Sequence, residues 1–254
     1  MVDLPASRKG SDLSRNAELL AEVVDQTSSR PASSLEDVCT SIARQLLARH
    51  PSARTSTVQS SAEYFRRRGL RPGARSFEDY RILASARAVR RGRRIETARG
   101  IGAEAVGMTA CPCAMETCRR ALQAEFPALR DPRLAAMPIV THNQRNRTRL
   151  VIELTQDGAV EVDDLIELIE DAQSSPTYAI LKRGDEGRVV LDAHRSPRFV
   201  EDVVRGVLGR VVQRFPQLPD DAIATVESIS EESIHKYDVR ASARVRLGRL
   251  RAGR

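Results

Sequence analysis

The amino-acid sequence predicts an α+β fold in which helices are layered on one face of an antiparallel sheet. Two long segments, residues 33–50 and 196–215, carry apolar side chains at helical spacing. The segment DVRASARVRL (238–247) alternates strictly between apolar and polar side chains, which is typical of a strand buried on one face only. Long helices combined with strands that keep one wet face favour a layered α+β arrangement.

The first long helix, 33–50, opens with a capping-box pattern formed by Ser33 and Glu36. Cys39 falls beside its apolar face, so we expect this thiol to lie in the core. His50 ends the helix, where an imidazolium is favoured by the carbonyl end of the helix dipole. Both residues therefore have a structural interpretation.

The second long helix is predicted to start with Ser196 as its cap and Pro197 at its first position. The segment VDDLIELIEDA (162–172) predicts a shorter helix of the same amphipathic kind. His194 lies just before the predicted cap, and we interpret it as a loop residue.

Strands are predicted on both sides of these helices. The segment 148–162, TRLVIELTQDGAVEV, predicts a strand that turns at Asp157-Gly158. The segment AIATVESI (222–229) is expected to pair with the last strand. The stretch 69–99 is rich in Arg, Gly and Ala, and we interpret it as a loop with some helix.

Composition restricts the classes of function. The chain has 254 residues and a formal net charge of +7, carried mostly by arginine, because it has three lysines. Only 4% of its residues are aromatic, so a base-stacking surface for nucleic acid is disfavoured. No apolar run approaches the roughly 20 residues of a membrane helix, and the N-terminal segment lacks the apolar centre of a secretion signal. We therefore expect a cytoplasmic protein.

Three of the four cysteines lie close together in GMTACPCAMETC (107–118), at Cys111, Cys113 and Cys118. The Cys-Pro-Cys pair is too tight for a zinc knuckle, and no second Cys-x-x-Cys pair exists. A disulfide framework is disfavoured in a chain with so few cysteines. The cluster is thus either a thiolate that binds a metal or reacts, or a chance grouping.

Two histidines lie where functional side chains are often found. His142 follows an apolar run, as at a strand end, and His235 lies between the last two predicted strands. Each taken alone is better explained as a structural histidine. A thiolate, an imidazole and a carboxylate together suit Zn²⁺ or Fe²⁺ and leave a position for water. The candidate carboxylates lie in LKRGDEG and FVEDVVR: Asp185, Glu186, Glu201 and Asp202.

Seven segments in fixed order resemble the type IB GTP cyclohydrolases, and most closely their archaeal, iron-dependent branch. These segments are VDLPASRKGSDLSRN, LEDVCTSIARQLLARH, GMTACPCA, THNQR, YAILKRGDE, SPRFVEDVVR and EESIHKYD. The resemblance implies a bimodular tunnelling fold, with modules at 1–130 and 131–254, assembled as a homodimer or homotetramer with active sites between subunits. Relatives carry an additional segment before VDLP, so we expect the first module to be truncated or the start codon to be misplaced.

Members of this family hydrolyse the guanine ring of GTP. The resemblance implies that a metal-activated water attacks C8, that the imidazole ring opens and that C8 leaves as formate. The ribose then rearranges to give a 7,8-dihydroneopterin triphosphate or 2′,3′-cyclic phosphate. The alternative is a catalytically altered or inactive relative that binds a purine or pterin nucleotide.

The resemblance also assigns roles to individual residues. Cys111, His142 and Glu186 would bind one divalent metal, with Fe²⁺ expected first and Zn²⁺ or Mn²⁺ as alternatives. Cys111 is therefore also counted among the catalytic residues. His235 would move protons during ring opening, as suits a group that titrates near neutrality. Glu232 would orient His235 or the substrate.

Substrate recognition follows in the same way. Glu201 would accept hydrogen bonds from guanine N1–H and the 2-amino group. Gln144 is expected to contact the substrate. The groups expected to bind phosphate are Arg145, Lys182, Arg183 and Arg15. Two positions differ from the family pattern, because Asp12 and Tyr237 stand where the family usually has histidine.

Overall fold

The computed structural model describes residues 1–7, 9–10, 12–29, 32–69, 76–134, 137–156 and 158–253. The helices are α1 (Leu13–Ser29), α2 (Leu35–Arg49), α3 (Pro112–Glu125), α4 (Val162–Glu170), α5 (Arg183–Arg195), α6 (Val200–Arg214) and α7 (Leu247–Ala252). The strands are β1 (Thr55–Arg68), β2 (Ser76–Arg91), β3 (Arg94–Ala110), β4 (Asn143–Leu154), β5 (Ser175–Pro176), β6 (Ile223–Ser230) and β7 (Val239–Arg246).

All seven strands belong to one sheet, with the order β1-β2-β3-β4-β6-β7 and the short β5 paired with β3. Every neighbouring pair is antiparallel. The pairing of β6 with β7 was predicted and is confirmed. The predicted boundary between the two modules, at residue 130, lies between β3 and β4 in the sequence. These two strands pair directly within one sheet, and the division into two modules stays a prediction.

The helices α2, α4 and α6 pack against one face of this sheet, as predicted. Alternate residues of the central strands, such as Leu150 and Ile152 in β4 and Val226 in β6, point to this face and are fully buried. They meet Ile166 of α4 and Val203 of α6 in the main hydrophobic core. The α+β prediction, with helices on one face of an antiparallel sheet, is confirmed.

The interpretation of residues 69–99 as a loop is wrong for the part that the structure describes. Long strands β2 and β3 occupy it, joined by a turn at Gly92, whose φ is +61°. Ala84, Ala86 and Ala88 of β2 are buried under α2. Small side chains on alternate positions let the helix approach the sheet, and their weak β-propensity concealed the strand. Residues 70–75 lie outside the described residues.

The strand predicted in 148–162 is confirmed as far as Leu154, whereas its turn at Asp157-Gly158 stays a prediction. The strand ends at Leu154, and its partners are β3 and β6, not a returning segment. Val160 is buried in the main core ahead of α4, which begins at Val162. The apolar residues of GAVEV therefore serve the helix layer. Asp157 lies outside the described residues.

The first long helix is confirmed, but its cap is displaced by one residue. The side chain of Ser34 accepts a hydrogen bond from Asp37 N, whereas Ser33 Oγ donates to the carboxylate of Asp37. Cys39 is buried as predicted, and this burial raises the pKa of its thiol. His50 follows the last helical residue as expected, and its ring is buried.

The second long helix starts later than predicted. The helix α6 begins at Val200, and the carboxylate of Asp202 accepts a hydrogen bond from the N–H of Phe199. Ser196 instead follows the last residue of α5, and His194 lies in the last turn of α5, not in a loop. A carboxylate in the first turn replaces the serine cap that the sequence predicted. The shorter predicted helix is confirmed as α4.

Within the described part of the chain, none of the helices has the length and apolar character needed to cross a membrane.

Candidate functional site

A cavity opens where four strand ends meet at one end of the sheet. Ala110 at the end of β3 pairs with Asn143 at the start of β4, and Ser230 at the end of β6 pairs with Val239 at the start of β7. Antiparallel neighbours bring the end of one strand beside the start of the next. The helices α3 and α6 also begin here, and Arg198 N donates to Ala110 O over 3.0 Å.

The cavity has a volume of about 220 Å³. Six residues predicted from the sequence line it: Cys111, His142, Gln144, Glu201, Glu232 and His235. They come from segments spread over more than a hundred residues, so the topology of the sheet assembles them. Arg198, Phe199 and Tyr237 also line the cavity.

Cys111 and His142 are joined through their main chains. Cys111 N donates to His142 O over 3.1 Å, and Thr141 Oγ1 donates to Cys111 O over 2.8 Å. Cys111 occupies the N-cap position of α3, where its Sγ accepts a weak hydrogen bond from Ala114 N at 3.4 Å. The start of the helix and the start of β4 therefore hold a sulfur and an imidazole on one wall of the cavity.

A hydrogen-bonded chain fixes the ring of His142. Gln144 Nε2 donates to Glu232 Oε1 over 3.1 Å and to Thr109 Oγ1 over 3.2 Å, which turns the amide oxygen toward His142. That oxygen lies 3.0 Å from His142 Nδ1. Because an amide oxygen can only accept, Nδ1 must carry the proton, and Nε2 keeps its lone pair in the neutral ring. The side chains of His142 and Glu232 are 12% and 9% exposed, so these hydrogen bonds are largely shielded from water.

His235 lies across the cavity, in the loop between β6 and β7. Its ring meets that of His142 edge-on, with 6.4 Å between the centroids, so the two rings make no direct hydrogen bond. Tyr237 stacks on His235 with 5.2 Å between centroids and an interplanar angle of 13°. The tyrosine thus supports the ring of His235.

The start of α6 supplies the wall on the other side. Glu201 lies in the first turn as predicted, and its exposed carboxylate borders the cavity. Arg198 precedes it by three residues, and its Nε is buried without a hydrogen-bond partner within the described part of the chain. Arg198 was not predicted from the sequence. Its position close to Glu201, just before the start of a helix at a predicted site, was a signal from which it could have been predicted.

The other predicted site residues lie away from this cavity. Glu186, Lys182 and Arg183 are exposed at the start of α5. The far end of that helix contacts the segment beside the cavity, where His194 Nε2 lies 3.4 Å from Thr141 O. Glu186 precedes His194 by eight residues, about 12 Å along the helix axis. Across the described ranges, His, Cys, Asp and Glu side chains form no group of three that could hold a metal.

Two further arginines are also separated from the cavity. Arg145 follows Gln144 in β4, so its side chain lies on the opposite, helix-free face of the sheet. Arg15 lies in α1, where it donates to Arg49 O and pairs with Asp12. Cys118, for which the sequence assigned no role, is half-buried in α3.

Comparison with known families gives one match over most of the chain. A family model described as type I GTP cyclohydrolase folE2 matches residues 1–241. The GTP cyclohydrolase MptA of Methanosarcina mazei is 42% identical over 260 residues, which cover 98% of this chain and 82% of the relative. The MptA of Methanothermobacter thermautotrophicus is 38% identical over 256 residues, with 98% and 80% covered.

Solved structures with the same arrangement of elements include uricases. A uricase from Bacillus fastidious aligns with a TM-score of 0.50 at 10% identity, covering 93% of this chain and 75% of that chain. A hyper-thermostable AgUricase mutant aligns with a TM-score of 0.53 at 10% identity, covering 97% and 81%. At this identity the likeness concerns the fold alone, and it shows the tunnelling fold that the sequence predicted.

Proposed function

The chain belongs to the type I GTP cyclohydrolase family and is a GTP cyclohydrolase, and we propose that the cavity at the strand ends is its active site. There it would open the guanine imidazole ring, release C8 as formate and form a 7,8-dihydroneopterin phosphate. One observation carries this proposal: Cys111, His142, Glu201, Glu232 and His235 line a single cavity. The sulfur and the imidazoles are groups that can bind a metal or transfer protons, and the carboxylates can accept hydrogen bonds from the substrate.

A divalent metal fits one wall of this cavity. Cys111 and His142 offer sulfur and nitrogen donors that suit a borderline ion such as Fe²⁺, with Zn²⁺ or Mn²⁺ as alternatives. The contact with Gln144 holds His142 by its Nδ1 and leaves Nε2 available for a metal, as a hydrogen bond to the other ring nitrogen commonly does for histidine ligands. When bound, the ion would supply Lewis-acid activation of the attacking water.

The third proposed ligand, Glu186, lies outside this cavity in the single chain. We propose that a second copy of the chain supplies it, together with Lys182 and Arg183, which would bind phosphate oxygens as cations do. All three residues are exposed at the start of α5. The sheet also ends in the edge strand β7, and an unpaired edge can pair with another chain. A homo-oligomer with active sites between subunits would satisfy both features.

The remaining residues would bind the base and move protons. Glu201 would accept hydrogen bonds from guanine N1–H and the 2-amino group, since a carboxylate matches two neighbouring donors. His235, exposed at the cavity mouth, would exchange protons with the opening ring. Gln144 holds His142 and Glu232 in place, so we assign it an orienting role in place of the substrate contact expected from the sequence.

We further assign the chain to the type IB enzymes and to their archaeal, iron-dependent branch, on the support of its MptA relatives. A reducing cytoplasm would suit this assignment, because it would keep Cys111 available as a metal ligand. A second candidate function is supported by Tyr237, which replaces the family's usual histidine beside His235. A protein altered there could bind a purine or pterin nucleotide without converting it.

The two functions are separated by anaerobic incubation with GTP and Fe²⁺, followed by measurement of formate and of fluorescent oxidised pterin. An active cyclohydrolase releases both products, and Glu201→Ala should release neither. Tight binding of GTP with no formate from the parent protein would support the nucleotide-binding alternative and overturn catalysis.

A further inference from the structure

Arg198 is a cation in the cavity wall that has no role among the residues predicted from the sequence. Its main chain is fixed, because Arg198 N donates to Ala110 O at the end of β3. Its side-chain Nε is buried and has no hydrogen-bond partner within the ranges that the structure describes. A buried donor without a partner is costly, so a ligand atom that accepts this hydrogen bond would stabilise the site.

The acids near Arg198 accept no hydrogen bond from it within the described residues. The carboxylate of Asp202 accepts from Phe199 N over 3.0 Å and from Arg205 Nη2 over 2.6 Å. Burial would raise the pKa of Asp202, but these hydrogen bonds lower it, and Arg198 helps to lower it only through its charge. Glu201 borders the same cavity and makes no ion pair with Arg198 within the described residues. The cavity is therefore lined by one carboxylate and one guanidinium, and Nε of the guanidinium has no hydrogen-bond partner within the described residues.

We propose that Arg198 recognises the O6 atom of the guanine base. The edge of guanine presents the 2-amino group, N1–H and O6 in sequence, two donors followed by one acceptor. The carboxylate of Glu201 matches the two donors, and the guanidinium of Arg198 supplies the donor that O6 requires. The pair thereby selects a six-oxo, two-amino purine. This assignment rests on the proposed function, in which Glu201 binds guanine.

The size of the cavity favours the base over the phosphates as the partner of Arg198. Its volume is about 220 Å³. Pockets that enclose a whole drug-sized ligand usually measure roughly 300 to 1,000 Å³. A cavity of this size accommodates one end of the nucleotide, and the proposed contact between Glu201 and guanine would make it the base end.

The test compares GTP with 6-thio-GTP, which keeps N1–H and the 2-amino group but replaces O6 by a weaker acceptor. The parent enzyme should prefer GTP, in kcat/KM, by about tenfold, the effect of one charged hydrogen bond. Arg198→Met, which keeps the apolar length of the side chain, should lower kcat/KM for GTP and reduce the GTP to 6-thio-GTP ratio to about one.

A second ratio serves as the internal control. ITP lacks only the 2-amino group, so the preference for GTP over ITP reports on Glu201 and should remain in Arg198→Met. Metal content and melting temperature of the variant should match those of the parent. Arg198→Lys, which keeps the charge but moves it away from the position of Nε, should recover only part of the 6-thio-GTP discrimination.

Other outcomes would overturn the assignment in distinguishable ways. If the parent enzyme converts GTP but Arg198→Met loses GTP and 6-thio-GTP activity by the same factor, Arg198 contacts a phosphate or has a structural role. If Arg198→Met matches the parent with both substrates, the guanidinium makes no contact with the substrate. If the parent releases no formate from GTP at all, the proposed function itself fails.

Discussion

Replacement of Gln144 by leucine tests whether the hydrogen-bonded chain at the cavity prepares His142 for a metal. The variant Gln144→Leu keeps the volume of the side chain but removes its contacts with His142, Glu232 and Thr109, which measure 3.0, 3.1 and 3.2 Å. The imidazole then loses the acceptor that fixes its tautomer and its orientation. We expect the folded protein to survive with weakened metal binding.

The size of the effect follows from the burial of the two main partners. His142 and Glu232 are 12% and 9% exposed, so water cannot fully replace the lost contacts. Each orphaned group costs about 1 to 3 kcal/mol. Loss of an outer hydrogen bond to a histidine ligand typically lowers metal affinity by about 10- to 100-fold, or about 1.4 to 2.8 kcal/mol.

The assay is a competition titration of Fe²⁺ or Zn²⁺ against a chelator of known affinity, with thermal melting as the measure of stability. Asn143→Ala is the matched control, because Asn143 is exposed and its side chain projects from the opposite side of β4. This control should bind metal as the parent does. An unchanged affinity in Gln144→Leu would refute the orienting role.

Three other predictions follow from the site and the sheet. Cys111→Ala should lose most of its bound metal while Cys118→Ala retains it, and equal metal contents would exclude Cys111 as a ligand. Glu201→Gln should lower kcat/KM for GTP by roughly ten- to a hundredfold with metal content intact, since one donor of guanine loses its charged acceptor; turnover at the parent rate would make Glu201 a surface charge. Burial alone would raise the pKa of Glu104, but hydrogen bonds from two neighbouring arginines lower it below its ordinary value of 4.5. The stabilisation is therefore present above that value and is lost as the pH falls through the lower pKa of the folded state. Melting curves should show Glu104→Gln to be less stable than the parent at neutral pH and less sensitive to acid, and equal acid sensitivity would contradict this.

The helices and strands could be predicted where the spacing of apolar residues in the sequence matches the pattern of buried residues in the structure. The strand β7 alternates strictly, and the helices α2, α4 and α6 carry long apolar faces, so each was found from the sequence. The strand β2 was missed because its buried positions beneath α2 are alanines. Alanine side chains let the helix pack closely but carry little β-propensity. The start of α6 was misplaced because Asp202, and not Ser196, satisfies the free N–H groups there.

The residues of the site could be predicted where they lie in recognisable sequence motifs. Six of the predicted residues line one cavity, but the distances between them could not be predicted from the sequence. Gln144 was expected to contact substrate, because only coordinates show that its amide is already bonded on both sides. Arg198 was missed although its place beside Glu201 was a signal for it, because the lack of a partner for its buried Nε among the described residues is visible only in the structure.

Glu186 shows where a single chain stops being sufficient. The resemblance groups it with Cys111 and His142, but Glu186 does not line the cavity, and the contact of α5 beside the cavity is made by His194 at the other end of the helix. A change of side-chain rotamer cannot cover the distance of about 12 Å along the helix axis. Closing the gap within one chain would require α5 to leave the sheet, where Val189 and Ala193 are buried. Since Glu186 is exposed and α5 is anchored, the proposed assembly between copies would unite the three proposed ligands without unfolding the helix.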